Sequence, residues 1–178
     1  MTDHPFEGAL IRLRAREITD EPFIYRWLND PEVTRHILVR YPFSHGEEEA
    51  YLRANSTPGY ENLGLTIEDR ADGHPIGTAA LRRTSPENRS AGLAITIGEK
   101  SYWDGGYGTD TMRTLCRFGF ETMNLHRIEL DVFVTNARAI HVYEKIGFQR
   151  EGLRREADFR FGAYRDIVMM SLLAGELR

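Results

Sequence analysis

Cysteine is almost missing from this chain: Cys116 stands alone, so no internal disulfide can form and the composition suits a reducing compartment. No apolar run reaches the roughly 20 residues that a membrane-crossing helix needs. The first five residues, Met-Thr-Asp-His-Pro, do not make an apolar signal segment. Basic residues are not in excess, with Lys and Arg at 23 against 27 Asp and Glu. A formal net charge of −4 gives nucleic acid no broad electrostatic foothold. The six histidines (4, 36, 45, 74, 126 and 141) show neither HExxH nor paired Cys/His spacing, so no metal site is expected. Internal repeats, low-complexity tracts and linkers are also lacking. These absences leave a cytoplasmic-type domain with no membrane or nucleic-acid partner.

What is present is ordinary for a globular protein: 41% hydrophobic and 28% charged residues over 178 positions, enough for one domain (1–178) with a substantial core. Residues 10–14 alternate apolar and charged, the period of a half-buried strand. A helix is expected over 19–28, capped by Thr19 or Asp20, and Asn29-Asp30-Pro31 ends it before a short helix towards His36. Ser44-His45-Gly46-Glu47 has capping-box spacing and opens a helix to about Asn55. Strands at 63–68 and 76–82 flank a turn-forming segment and predict an antiparallel pair. Further strands are expected at 91–97, 127–134, 148–155 and 164–173. Helices lie between them at 110–123 and from Asn136 to the stop at Gly147. Cys116 falls in the helical stripe Met112, Leu115, Cys116, Gly119, Met123, as a small core residue rather than a nucleophile. Early antiparallel strands with one later βαβ unit predict an α+β, or mixed α/β, domain.

The most informative stretch is Tyr102-Trp103-Asp104-Gly105-Gly106-Tyr107-Gly108-Thr109, between a β-branched strand and an amphipathic helix. Glycines at a helix start let backbone N–H groups approach an anion where the helix dipole is positive. A nucleoside-triphosphate P-loop would need Lys and Ser/Thr after the last glycine, and Thr109-Asp110 stands there instead. A dinucleotide fingerprint, Gly106-x-Gly108-x-x-Thr111 with Asp131 downstream, lacks its third glycine and the further βαβ units it needs.

A second block narrows the choice. Residues 126–152 contain Asn136-x-x-Ala139-x-x-x-Tyr143-Glu144-Lys145-x-Gly147-Phe148. With Trp103-Asp104-Gly105-Gly106-Tyr107-Gly108, this resembles the GNAT superfamily of acetyl-CoA-dependent N-acyltransferases, whose pyrophosphate loop reads Gln/Arg-x-x-Gly-x-Gly/Ala. Trp103 departs from that pattern. Residues 27–33 and 166–169 are similar to the branch holding ribosomal-protein alanine N-acetyltransferases and spermidine acetyltransferases. The resemblance covers nearly the whole chain and implies a GNAT fold, with a mixed, mainly antiparallel sheet of about six to seven strands flanked by helices.

It also implies roles. Backbone N–H groups from Trp103, Asp104, Gly105, Gly106, Tyr107, Gly108 and Thr109 would hold the pyrophosphate of acetyl-CoA. Ile95, Thr96 and Ile97 would pair with the pantetheine arm, an amide near Ile97 polarising the thioester carbonyl. Asn136 and Ala139 would touch CoA, although Asn136 also suits a helix N-cap. Tyr143 would meet the thioester sulfur as general acid, although its helical face with Ala139, Val142 and Ile146 also suits a core aromatic. A phenol at about 10 is a weaker acid than a thiol at about 8.5, so hydrogen-bond donation could suffice. Where relatives often carry a glutamate this chain has Gly92, leaving Glu99, Glu61 or a held water as base. Arg82-Arg83 and Arg113/Arg117 read as solvated charge, with a contact to the CoA 3′-phosphate as the alternative. Trp27, Asn29 and Asp30 would contact the acceptor, and Glu32 and Asp158 suit a cationic amine. A peptide N-terminal amine comes first, a polyamine or antibiotic amine second. A catalytically silent acetyl-CoA-binding sensor is the rival class, and a homodimer is compatible with the resemblance.

Overall fold

Ile11 and Leu13 are buried and Arg12 is exposed, so alternation turns one face of β1 (Ile11–Ala15) to the core. The computed structural model describes residues 4–178, leaving 1–3 of the expected domain outside the described residues. A 3₁₀ turn at Ile18–Asp20 leads into α1 (Glu21–Leu28), followed by α2 (Pro31–Thr34) and α3 (His45–Asn55). The expected cap Asp20 does not cap α1. Its carboxylate accepts instead from Arg14 (2.8 and 2.6 Å), the Glu17 amide (2.9 Å) and the Thr66 hydroxyl (2.8 Å). Ser44 does cap α3, its hydroxyl accepting from the Glu47 amide at 3.1 Å.

The remaining elements are β2 (Asn62–Asp69), β3 (Pro75–Ser85), β4 (Ser90–Ile97), α4 (Tyr107–Glu121), β5 (Arg127–Phe133), α5 (Ala137–Ile146), β6 (Gln149–Arg160) and β7 (Ala163–Leu173). They form one seven-stranded mixed sheet in the order β1-β2-β3-β4-β5-β7-β6, in which only β4 and β5 run parallel. The expected antiparallel pair is β2–β3, in register from Asn62↔Arg82. Two layers cover the sheet. One face packs under α4 and α5 around Leu65, Leu81, Met112, Leu115 and Ile128; the other carries α1 to α3 around Ile24, Trp27, Val33 and Leu52. Cys116 is fully buried in the first layer, and burial pushes its thiol well above the ordinary range.

Two departures from the sequence reading bear on the site. Helix α4 starts at Tyr107, so Gly108 and Thr109 belong to its first turn, and its N-cap Gly106 sits at φ +89°. Strand β6 runs on to Arg160 through two bulges. Among the described residues no helix is long and apolar enough to cross a membrane, and no cluster of His, Cys, Asp or Glu has metal-binding geometry.

Candidate active site

The site begins with a gap in the sheet. β4 and β5 pair only where Ser90, Ala91 and Gly92 meet Arg127, Ile128 and Glu129, and beyond Gly92 the strands part. On its other edge β4 stays paired to β3 as far as Gly77↔Ile97. The Gly98 amide donates to the Ile76 carbonyl (2.9 Å), which makes Ile97↔Gly77 a non-hydrogen-bonded pair. By the alternation of an antiparallel ladder, the backbone groups of Ile97 and Ile95 turn into the gap, and those of Thr96 turn to β3. A cleft of about 1060 Å³ passes through this opening and reaches both faces of the sheet.

At the far end of β4 the chain turns through the glycines into α4. The first helical bond runs from the Asp110 amide to the Gly106 carbonyl at 3.0 Å. The amides of Tyr107, Gly108 and Thr109 precede it and have no partner within the helix. A Cβ added at Gly108 would meet only Ile97 Cγ1 at 3.9 Å, so this residue faces open cleft. Trp103, the departure from the family loop, has a local use. Its Nε1 donates to the Ile97 carbonyl at 2.8 Å, and the Arg138 guanidinium lies 4.7 Å over its ring. Trp103 thus ties the loop to the strand end. Arg138 also reaches the Asp104 carboxylate at 3.4 Å, which offsets a negative charge beside the anion-binding amides.

The opposite wall is α5. Asn136 is its N-cap, Oδ1 accepting from the Ala139 amide at 3.2 Å, which leaves Nδ2 for a ligand. At the other end Gly147 (φ +120°) stops the helix, its amide bonding the Tyr143 and Glu144 carbonyls. Tyr143 packs beside Phe148 and lines the cleft, and no hydrogen-bond partner for its hydroxyl is present among the described residues. Burial pushes its phenol up to about 12.

The three residues expected to touch the acceptor have other partners. Trp27 is 3% exposed and its Nε1 donates to Glu99 at 3.0 Å. Its ring fills the space above Gly98, where a Cβ would come within 2.1 Å. Asn29 bridges the Tyr25 carbonyl (2.9 Å) and the backbone of Phe43 (3.0 and 3.2 Å). Asp30 caps α2 through the Glu32 amide (2.8 Å) and pairs with Lys100 (2.9 Å), whose hydrogen bond holds its carboxyl below the usual range. The segment is a helix stop and a loop anchor, and neither Trp27, Asn29 nor Asp30 lines the large cleft. Glu99 is occupied by Trp27 and Arg26, and Glu61 lies outside the cleft, so neither is placed as a base.

Other residues line the cleft as well, Arg82 and Arg83 among them, which the sequence reading gave at most a contact to the CoA 3′-phosphate. His36 lines the cleft with a buried Nδ1 that lacks a partner. Burial, then the charges of Arg35, Arg165 and Arg138, hold its imidazole below the usual range. Arg16, Arg82, Arg83 and Glu48 line the side facing α1 to α3. No local motif marks them, because they come from four separate parts of the fold or depend on a bulge.

A splayed parallel pair, a glycine-rich helix start at its open end and a tyrosine on the facing helix are the arrangement that the resemblance to an acetyltransferase implies. The acetyltransferase (GNAT) domain model matches residues 11–149, and the chain belongs to that family, as an acyltransferase enzyme. It is 31% identical to the spermidine N(1)-acetyltransferase of Vibrio cholerae over 166 residues, covering 93% of this chain and 94% of that protein. It is 32% identical to the L-amino acid N-acetyltransferase AaaT of Escherichia coli over 163 residues, covering 90% and 96%. The crystal structure of the Vibrio cholerae spermidine N-acetyltransferase in complex with CoA and spermine superposes with a TM-score of 0.86 at 28% identity, over 95% of this chain and 98% of that one.

Proposed function

We propose that this chain is a cytoplasmic enzyme that moves the acetyl group of acetyl-CoA to the primary amine of a small molecule. The observation that carries it is the β4–β5 gap, with unpaired strand amides along one edge and free helix amides at its end. The donor supplies an acyl carbon activated by its thioester. Amides of Tyr107, Gly108 and Thr109 receive the pyrophosphate. The Ile95 and Ile97 backbone holds the pantetheine arm as a strand would, one N–H donating to the thioester carbonyl as negative charge builds on it. Asn136 Nδ2 and the Ala139 turn support the arm from α5.

As the amine nitrogen bonds to the acyl carbon, the carbon–sulfur bond breaks and the amine loses a proton. An alkyl amine near pKa ~10 must first shed its extra proton, to solvent or to a water held by the backbone. Tyr143 faces the departing sulfur. With its phenol at about 12 and a thiol near ~8.5, full proton transfer would be uphill by roughly 5 kcal/mol. Its role is therefore hydrogen-bond donation to the sulfur, which then takes its proton from solvent.

The relatives named for spermidine and for L-amino acids favour a small amine over a peptide N-terminus. The unpartnered Tyr143 hydroxyl favours an enzyme over a silent sensor. Thiol release from acetyl-CoA across amine and peptide acceptors tests the reading, with calorimetry for acetyl-CoA. Binding without turnover of any acceptor would return the sensor; turnover of peptides alone would return the N-terminal substrate. The reading includes a homodimer, checked by light scattering.

A further inference from the structure

On the face carrying α1 to α3, the floor of the cleft is made of small residues. Gly64, Ala80 and Ala94 stand opposite one another on β2, β3 and β4, and Arg82 stands opposite Gly92. Three guanidinium groups gather over this floor. Arg16 lies over Gly64, where a Cβ would come 3.3 Å from its Cζ. Arg83 lies over Gly92, where a Cβ would come 3.0 Å from its Nη2. Simple alternation would send Arg83 to the α4 face, next to Leu81 and the core. The bulge between Arg82 and Ser85, with Arg83 at φ +54°, turns it back to the side of Arg82. Burial of its guanidinium, and then the charges of Arg83 and Arg16, lower the pKa of Arg82.

None of the three forms an ion pair among the described residues, and their one hydrogen bond to protein is from Arg16 Nε to the Leu65 carbonyl at 3.5 Å. The carboxylates that could serve a cationic acceptor are already taken. Asp158, 2% exposed, is held by Arg40 (2.6 Å) and Arg165 (2.5 Å); Asp131 is held by Arg154; Glu32 is held by Lys100 (2.9 Å). Glu48 on α3 is buried within the field of Arg16, and desolvation raises its carboxyl towards the neutral form. A polyamine entering here would meet three cations and, in Glu48, one buried carboxylate that no ion pair holds among the described residues. Like charges collected over a hollow are stable when a ligand neutralises them.

From this juxtaposition we propose that the amine acceptor also carries an anionic group, a carboxylate or a phosphate, which Arg16, Arg82 and Arg83 bind while its amine reaches into the gap between β4 and β5. The inference rests on the acetyl-transfer reading and names its substrate class. These arginines are not a second site for the donor pyrophosphate: Gly92 and Ile97 are roughly 16 Å apart along β4, and the helix amides open at the Ile97 end. The guanidinium forks suit planar or tetrahedral oxyanions, to which each can donate two bonds.

The experiment compares matched acceptors on the full-length protein by thiol release: L-alanine with L-alaninamide, O-phosphoethanolamine with ethanolamine, and spermidine. At least one anionic member should exceed its neutral partner in kcat/KM by roughly 10- to 100-fold, the size of a lost charge-assisted contact. Which pair shows the gap separates carboxylate from phosphate. Arg82→Gln and Arg83→Gln should each raise KM for the anionic acceptor and erase its advantage, with acetyl-CoA affinity unchanged. Equal or better turnover of neutral partners, preference for spermidine, or turnover of no member overturns the proposal. Calorimetry on the same preparation judges the broader reading: if acetyl-CoA does not bind, that reading falls too, whereas binding with spermidine preferred sinks the anionic acceptor alone.

Discussion

Gly108→Ala separates ligand binding from folding at the head of α4. The backbone there is helical and the new Cβ would meet nothing closer than Ile97 Cγ1 at 3.9 Å, so the protein accommodates the methyl. Alanine is a better helix former than glycine by up to about 1 kcal/mol, and for a domain of this size each kcal/mol moves Tm by roughly 2–4 °C. Tm should therefore hold or rise by a few degrees. The same methyl projects into the cleft at the amides assigned to the pyrophosphate. Displacing one or two charge-assisted hydrogen bonds costs about 1.5–3 kcal/mol each, so Kd for acetyl-CoA should weaken at least tenfold. Isothermal titration calorimetry and differential scanning calorimetry on the same preparation read both quantities. Gly106→Ala is the contrast. At φ +89° an L side chain is strained by about 1–3 kcal/mol, so Tm should fall. If Gly108→Ala binds acetyl-CoA with unchanged affinity, the pyrophosphate does not sit on this helix end.

Tyr143→Phe should lower kcat by about 10²-fold and leave KM for acetyl-CoA unchanged, the pattern of a donor used as charge develops. Because the folded phenol lies at about 12 and an unfolded one near ~10, its contribution to stability is full below about pH 10 and is lost as pH rises through about 12. Urea melts at pH 9 and 11 should show that loss in the parent and less of it in Tyr143→Phe. Gly98→Ala would drive a methyl to 2.1 Å from the Trp27 ring and should destabilise by about 1–3 kcal/mol, read as a lower urea midpoint. Glu151 is held down at about 2 by its hydrogen bonds to Arg127 and Ser171. Its stabilising effect is present above about pH 4.5 and is lost as pH falls through 2. Arg127→Gln should flatten circular-dichroism acid titrations in that window.

Local chemistry was readable wherever a side chain acts on its own neighbourhood. Asn136, Gly147 and Ser44 mark helix ends because a cap engages backbone only a few residues away. Trp103, Gly108 and Tyr143 stood out by spacing, and all three line the same cleft. The start of α4 was misplaced because Gly108 and Thr109 are poor helix formers, yet Gly106 in its left-handed turn starts the helix before them. On the acceptor side, the local pattern does not reveal partners brought from elsewhere in the chain. Trp27, Asn29 and Asp30 looked available, but Glu99, Phe43 and Lys100 claim them from other parts of the chain. Asp158 meets Arg40 across 118 positions, a pairing no local pattern encodes. Arg82 and Arg83 are exposed, as the reading of solvated charge has it, but a bulge, invisible in composition, decides which way Arg83 points. Strand β6 was cut short since it is a mostly exposed edge with a weak alternation of apolar residues.

The short pairing of β4 with β5 has a mechanical side as well. Strands β1 to β4 and β5 to β7 are each stitched by long antiparallel ladders, whereas three residues from each side join the two halves. That join is the weakest seam of the sheet, with α4 and α5 lashed across it on one face. A guest lying along the open part acts as a missing thread. It would rigidify a boundary that the chain alone joins over three residue pairs, so the molecule's resistance to being pulled apart would depend on its occupancy.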